Sequence, residues 1–308
     1  MKRKATYILI YIVAILSACS KFKSREDNKV YKKGAGGMLY KIVEDKDTPE
    51  VGEIAFVSVS YTEATENGTL ISQTGKLDPR PSMLFARMPE FKGDFQDALQ
   101  FLSEGDSAVI KIRIDSLKKN NGLKLAESDT SVFMVFNVRI NKVINKNGPT
   151  DTIYPQQIER YKTEQAYVHK ANEKEKIKKY LSREKDTYMA TASGLLIPSK
   201  FKKLSGSSDR KYKVNYAFYT LDGKIMDTNK EGLALSSGIY SPGDLYKPLE
   251  ISRQNAPIPA FKEALSMIPP GEKIKMVIPS SLAFGDYGNS KDIPPYMPLL
   301  CEFEIVNR

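Results

Sequence analysis

Histidine and cysteine are nearly missing from this chain. Among 308 residues there is one histidine, His169, and two cysteines, Cys19 and Cys301. A structural zinc site draws four ligands mainly from cysteine and histidine. A Ser-His-Asp triad needs a histidine oriented by a carboxylate. The one histidine sits in a charged, helix-forming stretch, so metal and triad chemistry are excluded, and no cofactor is expected. Cys301 lies in the apolar run Leu299-Leu300-Cys301 and reads as a small core residue rather than a reactive thiol. Long hydrophobic runs are also lacking. Tyr7 to Leu16 is apolar, but ten or so residues are too few to span a bilayer, which takes about 20. The net charge is +10, yet the lysines are not interleaved with aromatic residues as in a nucleic-acid-binding surface. They read as a solvated surface, with no nucleic-acid partner.

What the N-terminus does have is a processing signal. Lys2-Arg3-Lys4 precedes the short apolar run, and Leu16-Ser17-Ala18-Cys19 follows it. The last four residues resemble the lipobox of bacterial lipoproteins. That resemblance implies a signal peptide over 1–18, a diacylglyceryl group on the thiol of Cys19 and a membrane-surface location. Each buried CH₂ contributes about 0.8 kcal/mol, so two or more acyl chains anchor durably where one does not. Ser20-Lys21 carries no acidic signal, which by the same resemblance favours the outer membrane, facing the periplasm. Residues 19–36 are charged and glycine-containing and read as a tether.

Length allows about two domains, and the chain repeats itself. Phe95, Ala98, Leu99 and Gly105 recur 166 residues later as Phe261, Ala264, Leu265 and Gly271. Ile110 and Ile112 precede Met276 and Ile278 by the same interval. Residues 37–147 read as mostly β, with an alternating strand at Val57-Val59-Tyr61 and further strands over 108–114 and 132–143. A short helix is expected over 91–102, and a polar glycine-containing stretch over 118–130. Ser72 falls where the second copy has Asp227. The linker, 148–192, contains Pro155 to Asp186, free of glycine and internal proline and rich in helix formers. Ile158, Tyr161, Gln165 and Val168 give one sparse apolar stripe; Ile177, Tyr180 and Leu181 give another. The helix is either a rigid spacer or packed on one domain.

The second copy, 193–308, carries the most ordered set of signals. Val214-Asn215-Tyr216 leads through the turn Leu221-Asp222-Gly223-Lys224 to Ile225-Met226-Asp227-Thr228. Ile258-Pro259-Ala260-Phe261 opens a short helix that Pro269-Pro270-Gly271 stops. A strand ends at Val277-Ile278-Pro279, followed by Ala283-Phe284-Gly285 and Ile293-Pro294-Pro295 before the last strand. In this order and spacing the domain resembles the FKBP-type peptidyl-prolyl cis-trans isomerases, including the two-domain lipoprotein form associated with gliding motility. The resemblance implies an α+β fold: two FKBP-like domains, each a curved antiparallel sheet around a short helix, joined by a long charged helix. It implies a degenerate first domain, which has neither the Ala-aromatic-Gly corner nor the Ile-Pro-Pro step.

Carried over position by position, the resemblance assigns catalytic roles to Tyr216, Asp227, Ile258, Phe261 and Phe284. Substrate contacts fall to Met226, Leu249, Pro257, Ile293 and Cys301. Phe261 is the floor beneath the prolyl ring, Ile258 offers its backbone N–H, and Tyr216 with Asp227 forms a polar wall. The sequence departs from the family at Phe261 (usually tryptophan), Met226 and Cys301 (usually aromatic), Asn289 (often histidine) and Phe284 (usually tyrosine). The implied partners are proline-containing polypeptide clients and, through Cys19, a membrane. The alternative function is a non-catalytic chaperone or scaffold in envelope or gliding-machinery assembly.

Overall fold

Alternation of apolar and polar residues, with glycine and proline between the runs, produces two similar antiparallel sheets. The computed structural model describes residues 30–200, 210–289 and 293–306. Cys19 and the lipobox expected before it lie outside the described residues. The first sheet is built from β1 (Lys32–Lys33), β2 (Leu39–Glu44), β3 (Ala55–Thr65), β4 (Leu70–Gln73) and β5 (Ser82–Ala86). After helix α1 (Phe95–Leu99) it continues with β6 (Ser107–Arg113) and, beyond helix α2 (Ile114–Asn121), β7 (Phe133–Asn145). Helix α3 (Ile153–Leu181) leads to the second sheet: β8 (Tyr188–Ala190), β9 (Leu196–Pro198), β10 (Tyr212–Tyr219) and β11 (Ile225–Thr228). Helix α4 (Glu231–Ser236), β12 (Leu249–Ile251), helix α5 (Pro259–Ala264), β13 (Lys273–Ile278) and β14 (Leu299–Val306) complete it.

The two sheets share one topology. The first runs β1-β2-β6-β7-β3-β4 with β5 on β3; the second runs β8-β9-β13-β14-β10-β11 with β12 on β10. Each buries its inward residues against one short helix. Ala98 and Leu99 of α1 meet Val57, Val59, Ile110 and Ile140. Phe261, Ala260 and Ala264 of α5 meet Val214, Phe218, Ile274, Met276 and Phe303. The α+β, two-domain reading therefore holds, with a long helix between the domains.

Local chemistry explains where element bounds depart from expectation. α1 is shorter than 91–102 because Asp94 caps it, accepting from the Asp97 N–H at 3.0 Å. The polar stretch after β6 begins inside α2, whose leucine and lysines favour helix and which ends at the left-handed Gly122 (φ 65°).

α3 is about 43 Å long at 1.5 Å per residue, and it packs on both domains rather than one. Near its start, Tyr154 and Ile158 join Phe56 and Ile144 of the first domain, and the Tyr161 hydroxyl donates to Ser58 Oγ at 2.9 Å. Near its end, Ile177 and Tyr180 join Val277, Leu300 and Leu221 of the second domain. Val168, midway, is 49% exposed, so the first apolar stripe stops at Tyr161. Leu77 of the first domain is buried in that second-domain cluster, and burying such a leucine contributes about 1.5–3 kcal/mol. Among the described residues no helix is long and apolar enough to cross a membrane.

Candidate functional site

β10 supplies the first wall. Strand alternation turns Val214, Tyr216 and Phe218 toward α5, while pairing with β14 sets Tyr216 opposite Phe303 and Phe218 opposite Cys301. The Leu221–Lys224 turn closes through Gly223 N–H to Thr220 O (2.9 Å) and returns β11 alongside, with Asp227 opposite Phe218. The Tyr216 hydroxyl then donates to Asp227 Oδ2 at 3.1 Å. Burial, followed by the charge of Asp227 and this bond, pushes the Tyr216 phenol well above its ordinary range. It therefore stays protonated and remains a donor.

Two residues that sequence reasoning passed over hold this wall. Asn229 accepts from Tyr216 N–H (2.8 Å) and donates to Val214 O (2.9 Å) and Lys247 O (3.1 Å). The Thr228 hydroxyl donates to Tyr216 O at 2.7 Å. Both side chains are buried, so these bonds satisfy groups that would otherwise be costly to bury. Their signal in the sequence was only their place directly after Asp227.

The floor comes from α5. Ile258 caps it in extended conformation (φ −138°, ψ 152°), with Pro259 at the first helical position, where its missing N–H costs nothing. One turn in, Phe261 is 1% exposed. Its ring lies 4.8 Å from Phe303, 5.6 Å from Tyr216 and 5.6 Å from Phe218, the last nearly parallel at 20°. The edge-on ring of Phe284 meets Phe218 at 5.9 Å. Phe218, a residue sequence reasoning did not single out, thus stands between the floor and the rim.

The remaining wall is the loop before β14. Asn289 N–H donates to Ile293 O, and Ile293 N–H donates to Asn289 Oδ1, both at 2.8 Å. Gly288 permits this closure: its φ is 69°, and a Cβ there would stand 2.2 Å from Ile293 O. Ile258, Ile293 and Cys301 are buried in one cluster with Phe261, and Met226, Leu249, Tyr216 and Phe284 pack partly buried against it. Burial pushes the Cys301 thiol up, which leaves it protonated. Asp227 joins through Tyr216. Pro257 is exposed and lies outside this cluster.

Met226 and Asp227 also face a cavity of about 320 Å³ with Thr228, Ile239 and Tyr246. The arrangement is apolar and aromatic, with one tyrosine–carboxylate pair at its edge. Among the described residues, no group of three or more histidine, cysteine, aspartate or glutamate side chains is placed to hold a metal ion.

Residues 205–306 match the family described as FKBP-type peptidyl-prolyl cis-trans isomerase. The chain is 31% identical over 94 residues to the FKBP-type 22 kDa peptidyl-prolyl cis-trans isomerase of Escherichia coli (strain K12), covering 30% of this chain and 39% of that protein. It is 28% identical over 105 residues to the macrophage infectivity potentiator of Trypanosoma cruzi, covering 34% and 46%. It thus spans less than half the length of these curated relatives. Among solved structures, FkpA from Escherichia coli is 25% identical, with 53% of this chain and 74% of that one covered and a TM-score of 0.37. Both the sequence match and the assembled tyrosine–aspartate wall fall in the C-terminal domain, which is the part of the chain that is similar to the FKBP-type peptidyl-prolyl cis-trans isomerases.

Proposed function

We propose that this protein is a lipid-anchored peptidyl-prolyl cis-trans isomerase that assists the folding of exported polypeptides. The observation that carries the reading is the Tyr216–Asp227 pair at 3.1 Å on the edge of an aromatic box floored by Phe261. Resonance opposes rotation about a peptide bond by ~18–20 kcal/mol, and X-Pro bonds cross that barrier over tens to hundreds of seconds. As the amide twists, resonance is lost and charge leaves the carbonyl oxygen for the nitrogen. A dry apolar site favours the less dipolar, twisted form over the planar one, which is the differential binding that catalysis requires. No nucleophile, metal or general base takes part. Phe261 supplies the surface for the prolyl ring, Ile258 N–H meets a substrate carbonyl, and Tyr216 with Asp227 orients the chain. Met226, Leu249, Ile293 and Cys301 line the site, and Pro257 marks its outer edge.

A lipid on Cys19 holds the protein at the envelope, with the outer membrane facing the periplasm as its proposed place. Labelled fatty acid should enter the wild type and not Cys19→Ser; incorporation into the mutant rules the anchor out.

A second reading, a non-catalytic chaperone or scaffold in envelope or gliding-machinery assembly, is favoured by one observation. The Phe218 ring, 3% exposed, is stacked on the Phe261 floor. A proline-limited refolding assay with protein lacking residues 1–19 separates the readings. A catalyst speeds the slow phase at sub-stoichiometric amounts, whereas a scaffold reduces aggregation and leaves the slow phase unchanged. If Phe218 closes the site, Phe218→Ala should speed the slow phase further.

A further inference from the structure

Between β4 and β5 the first domain carries Thr74-Gly75-Lys76-Leu77-Asp78-Pro79-Arg80-Pro81. Its glycine and prolines forbid a continuing strand. The segment instead crosses to the second domain as a strap, and it grips that domain at two places.

The first grip is Asp222, in the turn that leads to Asp227. Its carboxylate accepts from the backbone N–H groups of Lys76 (3.0 Å), Leu77 (2.9 and 3.1 Å) and Asp78 (3.2 Å). A Cβ on Gly75 would stand 2.4 Å from Asp222 Oδ2 and 2.7 Å from Asp78 O, so the close approach depends on glycine.

The second grip is Arg80. Nη1 donates to Pro295 O at 2.9 Å and Nη2 to Tyr296 O at 2.7 Å, one planar fork on two successive carbonyls. Nε donates to Asp78 Oδ2 at 2.8 Å. Asp78 Oδ1 accepts from Lys176 of α3 at 2.6 Å, and that ammonium also lies 2.8 Å from His169 Nδ1. The Asp78 and Lys176 side chains are 2% and 8% exposed, so the fork is held from behind by a desolvated network.

The loop so held is the one that carries Ile293 into the site. Tyr296 has φ 53°, the only non-glycine positive φ among the described residues, a conformation that persists when its surroundings impose it. Its N–H is tied to Gly285 O at 2.8 Å, next to Phe284. Asp78 and Arg80 also share a groove of about 560 Å³ with Met226, Pro294 and Met297. The strap therefore touches both sides of the candidate site, at Asp222 and at Pro295–Tyr296, and nothing in the second domain alone makes these bonds.

We propose that Arg80 is a positioning residue for the isomerase site: through the 74–81 strap, the first domain sets the loop bearing Ile293 and the turn leading to Asp227. The inference rests on the isomerase reading for its consequence, but not for its test. The test uses the chain lacking only residues 1–19, with Arg80→Ala and Arg80→Lys compared with wild type. Amide hydrogen exchange at Tyr296 is read beside kcat and KM for a proline-containing tetrapeptide. Loss of two charge-assisted bonds should speed Tyr296 exchange by about tenfold or more, with β14 amides unchanged. Lysine, a single point donor, should restore little. The specificity constant should fall mainly through KM.

Should Arg80→Ala fail to fold, Gly75→Ala loosens the other grip and should move the Tyr296 amide in the same direction. Wild-type exchange at Tyr296 in a folded Arg80→Ala or Gly75→Ala chain overturns the proposal. A wild type that turns over no peptide sinks the isomerase reading, while the exchange result still decides the role of the strap.

Discussion

The two domains share a strand order and differ in what they place inside it. In the second, Tyr216 donates to Asp227; eleven residues apart again, the Tyr61 and Ser72 hydroxyls meet at 3.0 Å in the first. Phe218 stands opposite Asp227 and Cys301, whereas its counterpart Glu63 stands opposite Ser72 and Phe136. Burial pushes the Glu63 carboxyl up, as expected for an acid on the inner side of a sheet. After the inner strand, one domain has the Phe284 corner and the Ile293 loop; the other has α2. The sheet and the short helix tolerate these exchanges because they rest on periodicity and volume. The site does not, because it rests on particular groups at particular places. The first domain shares the strand order without these groups, and its strap hydrogen-bonds to the second.

The comparison can be broken most forcefully at the floor. Phe261 is fully buried under three rings, while Phe95, its counterpart, is half-buried with a single close ring, Phe136 at 5.5 Å. Phe261→Ala should destabilise by ~3–5 kcal/mol and Phe95→Ala by clearly less. Denaturant unfolding checks this, and equal losses would show that the two helices are packed alike.

A smaller effect is expected at the tyrosines. Tyr216→Phe removes a donor to a carboxylate, a bond of ~1.5–3 kcal/mol, and should lower the specificity constant about tenfold or more. Tyr61→Phe should leave turnover unchanged. Peptide kinetics on the two variants would contradict the assignment of activity if Tyr61→Phe lost as much as Tyr216→Phe.

The smallest effect concerns pH. Burial lowers His169 below its ordinary 6.5, outweighing the nearby Asp78. Burial raises Asp78, but the His169 hydrogen bond and the charges of Arg80 and Lys176 outweigh it and hold the carboxyl well below 3.8. His169 is kept neutral on folding, so the unfolded chain binds more protons below 6.5 and stability falls as pH drops through that value. Asp78 contributes stability above 3.8 that is lost further into acid. The apparent melting temperature should therefore decline between pH 7 and pH 5. The slope should shrink in His169→Gln; an unchanged slope would place the titration elsewhere.

Much of this was legible beforehand, and the reason differs by residue. The repeat at 166 residues, the strand at Val214–Tyr216 and the Phe261 helix follow from local periodicity and turns, whereas the pairing of Tyr216 with Asp227 came only with the family resemblance. α4 gives no comparable signal, because six residues within a loop carry too little periodicity. Phe218 gives no signal because an aromatic residue on an alternating strand looks like any core residue; only ring geometry shows that it stacks on Phe261. Asn229 and Thr228 act through backbone bonds across strands, and Arg80 acts on a loop 215 residues away. No one-dimensional pattern encodes such pairs.

The central claim is that the C-terminal site turns over prolyl bonds. Exchange NMR on a short X-Pro peptide, with the chain lacking residues 1–19 at sub-stoichiometric concentration, tests it without a coupled protease. The account predicts cis–trans exchange accelerated far above the uncatalysed tens-of-seconds scale, and lost selectively in Tyr216→Phe relative to Tyr61→Phe. Peptide resonances that shift on binding, with no acceleration even at equimolar protein, would contradict it.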